Sequence, residues 1–130
     1  MSRVFPSPAR LARARFNCIG LVRSRAATLR ALASAVNCGD VSFDAAQEPE
    51  DICAALKSIR GIGDWTAQYV SMRALKSPDA FPASDLGLLS SVRMPERVTP
   101  AELAARAERW RPWRAYAAIL LWGSLAGSGG

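Results

Sequence analysis

Histidine is absent from all 130 residues. Its absence removes every His-based triad, His general base and His metal site at once. Acid–base work falls to Asp, Glu, Lys, Tyr or Cys. The cysteines offer little: Cys18, Cys38 and Cys53 are odd in number and widely spaced, with no zinc, iron–sulfur or disulfide spacing. They read as reduced, mostly buried thiols. Two other segments carry more chemistry. In Arg60-Gly61-Ile62-Gly63-Asp64 two glycines flank one apolar residue between two amphipathic stretches. Glycine lets backbone turn with positive φ and approach a ligand closely. The helix that follows opens with unpaired N–H groups that favour phosphate. In Phe81-Pro82-Ala83-Ser84-Asp85 a carboxylate stands just ahead of a short helical segment, where it serves as an N-cap.

The charge balance narrows the partner. Seventeen basic against eleven acidic residues give a net charge of +6 and an isoelectric point near 10.0. All but Lys57 and Lys76 of the basic residues are arginine, whose fork matches phosphate bidentately. Residues 1–39 hold seven arginines and no acid, whereas residues 40–51 hold Asp40, Asp44, Glu48, Glu50 and Asp51 and no base. A basic domain of this kind meets nucleic acid or another polyanion; an arginine-biased solvated surface is the plainer alternative. No apolar run approaches the roughly 18 residues of a membrane span, and MSRVFPSPAR is not followed by the apolar stretch of a secretory leader. The expected setting is the cytoplasm.

Helices must position these groups, because no segment alternates long enough for a strand. Ser7-Pro8 opens a helix to about Phe16, with Ser7 as N-cap. A second runs from Ser24 to about Val36, with Leu29, Leu32, Ala33 and Val36 on one face. A third starts at Pro49 and buries Ile52, Leu56 and Ile59. After the glycine turn, where Ile62 is the core anchor, Asp64 can cap a helix over 65–75. A short helix covers 86–92. Thr99-Pro100-Ala101-Glu102 is a capping box for a helix ending near Trp110, and a last apolar helix covers 113–125. The expectation is an all-α single domain over 1–130, with 126–130 a flexible tail.

The hairpin pattern looks like a helix-hairpin-helix element, which holds one DNA strand by backbone N–H groups without reading bases. With Phe81-Pro82-Ala83-Ser84-Asp85 some 20 residues on, the chain resembles the helix-hairpin-helix Gly/Pro/Asp superfamily of DNA glycosylases. GIGDWTAQYVSMRAL, DAFPASDLGLL and RWRPWRAYAAILLW are more closely similar to the bacterial inducible DNA-3-methyladenine glycosylase II family. The resemblance covers 5–125 and implies an orthogonal helical bundle, present in part, acting in base-excision repair near the nucleoid. It implies that Asp85 is the catalytic carboxylate, that Trp65, Tyr69 and Trp122 line a pocket for an alkylated base, and that Arg60, Gly61, Ile62, Gly63 and Thr66 bind DNA phosphates. A monovalent cation, sodium or potassium, would sit on the backbone carbonyls of Lys57, Ile59 and Ile62, with no other cofactor. Trp110 and Trp113 would serve mainly packing, and Arg114 would pair with a carboxylate or phosphate. Bifunctional relatives carry a lysine where Trp65 stands, so the resemblance implies hydrolysis without lyase chemistry.

The family's members are longer, and the chain matches only their latter half. The mixed α/β N-terminal domain, the first catalytic helices and the DNA-intercalating wedge lie outside the match. The implied partners are double-stranded DNA with alkylated bases and the remaining half of such an enzyme, with no membrane. The alternative is a truncated, non-catalytic helix-hairpin-helix DNA-binding module.

Overall fold

A computed structural model describes residues 4–44, 46–92 and 97–127. Among these residues every regular element is a helix, as the absence of alternating patterns predicts. None is long and apolar enough to cross a membrane. The tail beyond residue 127 lies outside the described residues. The chain divides into two compact units, Met1–Gly63 and Asp64–Gly130.

In the first unit, α1 (Pro8–Ala12) packs against α2 (Arg23–Cys38), and α3 (Pro49–Lys57) follows. Helix α1 is shorter than its pattern suggests, and Ser7 stands at its N-cap position without a side-chain capping bond. Gly39 ends α2 with φ of +85°, the left-handed turn that glycine allows. Pro49 opens α3 at its first turn, and Ile52, Leu56 and Ile59 are buried as their spacing predicts. Burial of a side chain of that size contributes about 1.5–3 kcal/mol. Only Ala33 of the predicted α2 face is fully buried. Leu29, Leu32 and Val36 instead line an open apolar cleft of about 620 Å³ with Phe5, Phe16 and Ile19. Of the cysteines, Cys53 is buried, but Cys18 and Cys38 are exposed. Cys18 lies in the turn between α1 and α2 and Cys38 is the last residue of α2, so the expectation of mostly buried thiols fails there.

The second unit holds α4 (Asp64–Arg73), α5 (Leu86–Ser91), α6 (Pro100–Ala107), a 3₁₀ turn (Glu108–Trp110) and α7 (Arg114–Ala126). The capping box is formed: Glu102 N–H donates to Thr99 Oγ1 at 3.3 Å and Thr99 N–H to Glu102 Oε2 at 2.8 Å. Met72, Phe81, Leu88, Leu103, Ala107 and Ala118 form one core. Helix α5 lies against α7, and this contact brings residue 85 and residue 122 together.

Candidate active site

Asp85 is the N-cap of α5, and its Oδ1 accepts the Leu88 N–H at 2.9 Å. The capping role read from the sequence is therefore real, and it fixes the carboxylate at the head of the helix. Two indoles hold it further. Trp122, from α7, donates Nε1–H to Oδ1 at 2.8 Å, and Trp65, from the first turn of α4, donates to Oδ2 at 2.7 Å. Partial burial pushes the Asp85 carboxyl up. The hydrogen bonds from Trp122, the Leu88 backbone, Trp65 and the Gly87 backbone outweigh it and hold the group below its ordinary value. The site therefore carries an ionised carboxylate at neutral pH.

The aromatic rings form one continuous cluster around that charge. Trp65 and Tyr69, one turn apart on α4, stack with centroids 5.0 Å apart and planes 12° apart. Tyr69 meets Trp122 at 6.4 Å and 59°. Arg73, a further turn along, places its guanidinium 6.0 Å from the Tyr69 ring centre. Trp65 keeps 40% of its surface exposed, so an aromatic face is available to a ligand beside Asp85. Asp85, Trp65, Tyr69 and Trp122 thus converge.

At the end of the first unit, Ile62 is buried and anchors the turn as expected. Gly61 has φ of +97°, but Gly63 does not share the positive φ expected of it: Gly20, Gly39 and Gly61 are the positive-φ glycines. The reason is local. The Ile62 N–H donates to the Ile59 carbonyl at 3.0 Å, closing the reversal around Gly61 before Gly63 is reached. A Cβ on Gly61 would collide with the Thr28 hydroxyl and lie 3.2 Å from Thr28 Cβ, whereas one on Gly63 would meet nothing within 4 Å. The Arg60 carbonyl accepts from Thr28 Oγ1 at 3.1 Å. Arg60 itself is exposed, and Thr66 lies in the first turn of α4.

No protein-family profile matches the chain. A Mycobacterium tuberculosis protein described as a probable bifunctional transcriptional activator/DNA repair enzyme AlkA is 35% identical over 126 residues, 96% of this chain and 25% of that protein. DNA-3-methyladenine glycosylase 2 of Escherichia coli is 36% identical over 121 residues, 91% of this chain and 42% of that protein. Among solved structures, the 3-methyladenine DNA glycosylase Mag1 of Schizosaccharomyces pombe, in complex with abasic DNA, superposes with a TM-score of 0.82. It is 26% identical and the match covers 91% of this chain and 62% of that one. By sequence and by fold, this chain is a relative of the DNA-3-methyladenine glycosylases. It spans between a quarter and under half the length of the curated relatives it matches.

Within this glycosylase-like fold, Arg114 and Trp110 take the places expected of them and Trp113 does not. Arg114 pairs with a carboxylate: its Nε and Nη2 meet Asp79 Oδ1 and Oδ2 at 2.8 and 2.9 Å. Arg111 joins Asp79 and Glu108 in the same network. Burial raises the Asp79 carboxyl, and the Arg114 and Arg111 contacts outweigh this and leave it below the usual value. Trp110 packs edge-on against Phe81 at 6.0 Å, as a packing residue should. Trp113 does not pack inward; 58% of its surface is exposed, and its ring leans on Tyr116. Sequence reasoning missed Gly87. A Cβ there would lie 2.9 Å from Asp85 Oδ1 and 3.3 Å from the Trp122 ring, so only glycine lets carboxylate and indole meet. The glycine two places after Asp85 was the available signal. It also missed Gln68, whose Oε1 accepts the Phe81 N–H at 3.0 Å and ties α4 to the segment leading into Asp85.

Proposed function

We propose that this chain carries the catalytic part of a monofunctional DNA glycosylase. It would hydrolyse the N-glycosidic bond of alkylated purines, of the 3-methyladenine and 7-methylguanine kind, flipped out of double-stranded DNA at the nucleoid. The observation that carries this reading is Asp85, an ionised carboxylate fixed at the centre of Trp65, Tyr69 and Trp122. An alkylated purine already bears positive charge, so it leaves without a general acid. The sugar left behind has oxocarbenium character, and a fixed carboxylate stabilises it while water attacks. A carboxyl held low is a weak proton acceptor, so Asp85 acts mainly through its charge. The electron-poor base stacks on the electron-rich rings, with a cation–π contribution of about 0.5–2 kcal/mol per ring. Trp65 and Tyr69 already stack on each other, so the base covers an outer ring face. Trp65 stands where a Schiff-base lysine would be needed for strand cleavage.

The glycine turn serves phosphate contact. Ile62 spends its N–H inside the turn, so it contributes as anchor, and Arg60, Gly61 and Gly63 present the polar groups of the turn; Thr66, in the first turn of α4, is a separate phosphate contact. A monovalent cation on the carbonyls of Lys57, Ile59 and Ile62 would add positive charge there; the Ile59 carbonyl retains a second lone pair for it beside the bond from Ile62. The net charge of +6 and the glycine turn also fit a second reading, a helix-hairpin-helix DNA-binding module that does not excise. Incubation of the chain with methylated duplex DNA, followed by chromatography of released bases, separates the two. Free 3-methyladenine is the expected product. DNA binding with no released base would replace the first reading by the second.

A further inference from the structure

The two pocket tryptophans have edges as well as faces, and both edges are engaged. Each indole N–H ends on a different oxygen of Asp85, from a different helix, at 2.7 and 2.8 Å. Oδ1 also accepts the Leu88 N–H and is turned toward the head of α5 and toward α7. Oδ2 accepts Trp65 alone among the bonds described, and Trp65 is the more exposed of the two rings. We propose that Trp65 and Trp122 are positioning residues for Asp85, fixing the carboxylate plane so that Oδ2 faces the reacting sugar, in addition to stacking on the base. This deepens the glycosylase reading and rests on it for the direction of Oδ2. Ring face and ring edge then do separate jobs: the face binds, and the edge orients the charge and keeps it ionised.

Few other charges compete for the group. From α4, Tyr69 is the titratable side chain in the cluster and Arg73 the charged one beyond it. Helix α5 contributes backbone N–H groups only, and α7 contributes Trp122.

The test uses Trp65→Phe and Trp122→Phe, which keep an aromatic face and delete the N–H. Two readouts are taken on the full chain. In the first, the Asp85 side-chain carbon is titrated by NMR in each protein. Each substitution is expected to move its midpoint to higher pH, since the lost bond favoured the ionised form. In the second, single-turnover excision of 3-methyladenine is followed against pH. The rate should fall by about tenfold to a hundredfold, the equivalent of one hydrogen bond to a charged group. The acid limb should move upward while affinity for abasic DNA stays within about threefold. An unchanged Asp85 midpoint in both variants overturns the proposal whether or not the chain excises. Loss of affinity alone, with an unshifted pH profile, also overturns it and leaves the glycosylase reading standing. Absence of excision by the wild-type chain counts against that reading, while the NMR titration still decides whether the indoles hold the carboxylate. Trp65 is the more exposed ring, so Trp65→Phe keeps the test decisive where Trp122→Phe fails to fold.

Discussion

Replacing Gly61 by alanine should damage the fold, and replacing Gly63 by alanine should damage DNA binding instead. The two glycines look equivalent in Gly61-Ile62-Gly63 but differ physically. At φ of +97° an alanine at 61 costs about 1–2 kcal/mol in backbone strain. Its Cβ would also press into Thr28. That side chain cannot simply rotate away, because its single hydroxyl proton is shared between the Ser24 and Arg60 carbonyls, each 3.1 Å from Oγ1. Crowding or loss of those bonds adds about 1–3 kcal/mol. The total, about 2–5 kcal/mol, lowers the melting temperature by roughly 6–20 °C for a chain of this length. Gly63→Ala meets open space at ordinary φ, so its stability should hold or rise by up to about 1 kcal/mol. Its affinity for duplex DNA should fall alike on all sequences, because a methyl group stands where a phosphate must approach. Scanning calorimetry and fluorescence anisotropy read the two effects. The double variant Thr28→Ala/Gly61→Ala should recover the crowding part, a coupling of about 1 kcal/mol or more. A Gly61→Ala protein that melts within about 1 °C of wild type would refute the reasoning.

Duplex DNA affinity should fall with salt at a log–log slope of about −3 to −4.5, for roughly three to five phosphates neutralised; a salt-independent affinity measured by anisotropy would exclude a phosphate-contact interface. Asp79 is held below its ordinary 3.8 by Arg114 and Arg111 despite the opposing effect of burial. A depressed folded-state value stabilises above the unfolded value, and that stability is lost as pH falls through the folded one. Melting temperature should therefore drop on acidification below about pH 4, and less steeply in Asp79→Asn, as thermal scans across pH would show. Trp113, Tyr116, Ile119 and Leu120 are all exposed on and beside α7, an apolar patch that favours association. Sedimentation velocity should show concentration-dependent association, relieved by Leu120→Glu without a change in melting temperature.

The helices were legible where local signals suffice. Pro49, the Thr99–Glu102 box and the spacing of Ile52, Leu56 and Ile59 each specify an end or a face, and α3 and α6 follow them closely. The site was legible only through resemblance, because nothing local says that Trp65, Asp85 and Trp122 meet. Those contacts span 20 and 37 residues; the longer exists because α5 packs on α7, and the shorter is supported by Gln68, which ties α4 to the segment before Asp85. The same holds for Thr28 against Gly61 and for Asp79 with Arg114, both set by tertiary packing. The Gly61–Gly63 asymmetry was hidden for a different reason: one turn bond, from Ile62 to Ile59, decides which glycine bears the reversal. Trp113 shows the converse limit, an aromatic residue whose type suggests a core and whose place at the N-cap of α7 leaves it open to solvent.

The central claim is that the charge on Asp85 does the chemistry, and Asp85→Asn tests it most directly. Asparagine keeps the shape and an acceptor oxygen for the capping bond, but it removes the negative charge. Single-turnover release of 3-methyladenine from methylated duplex DNA is measured beside affinity for the same DNA. The account predicts release by the wild-type chain, a loss of about a hundredfold or more in the variant, and affinity within about threefold. Excision by Asp85→Asn at the wild-type rate would contradict it and place the reacting carboxylate elsewhere.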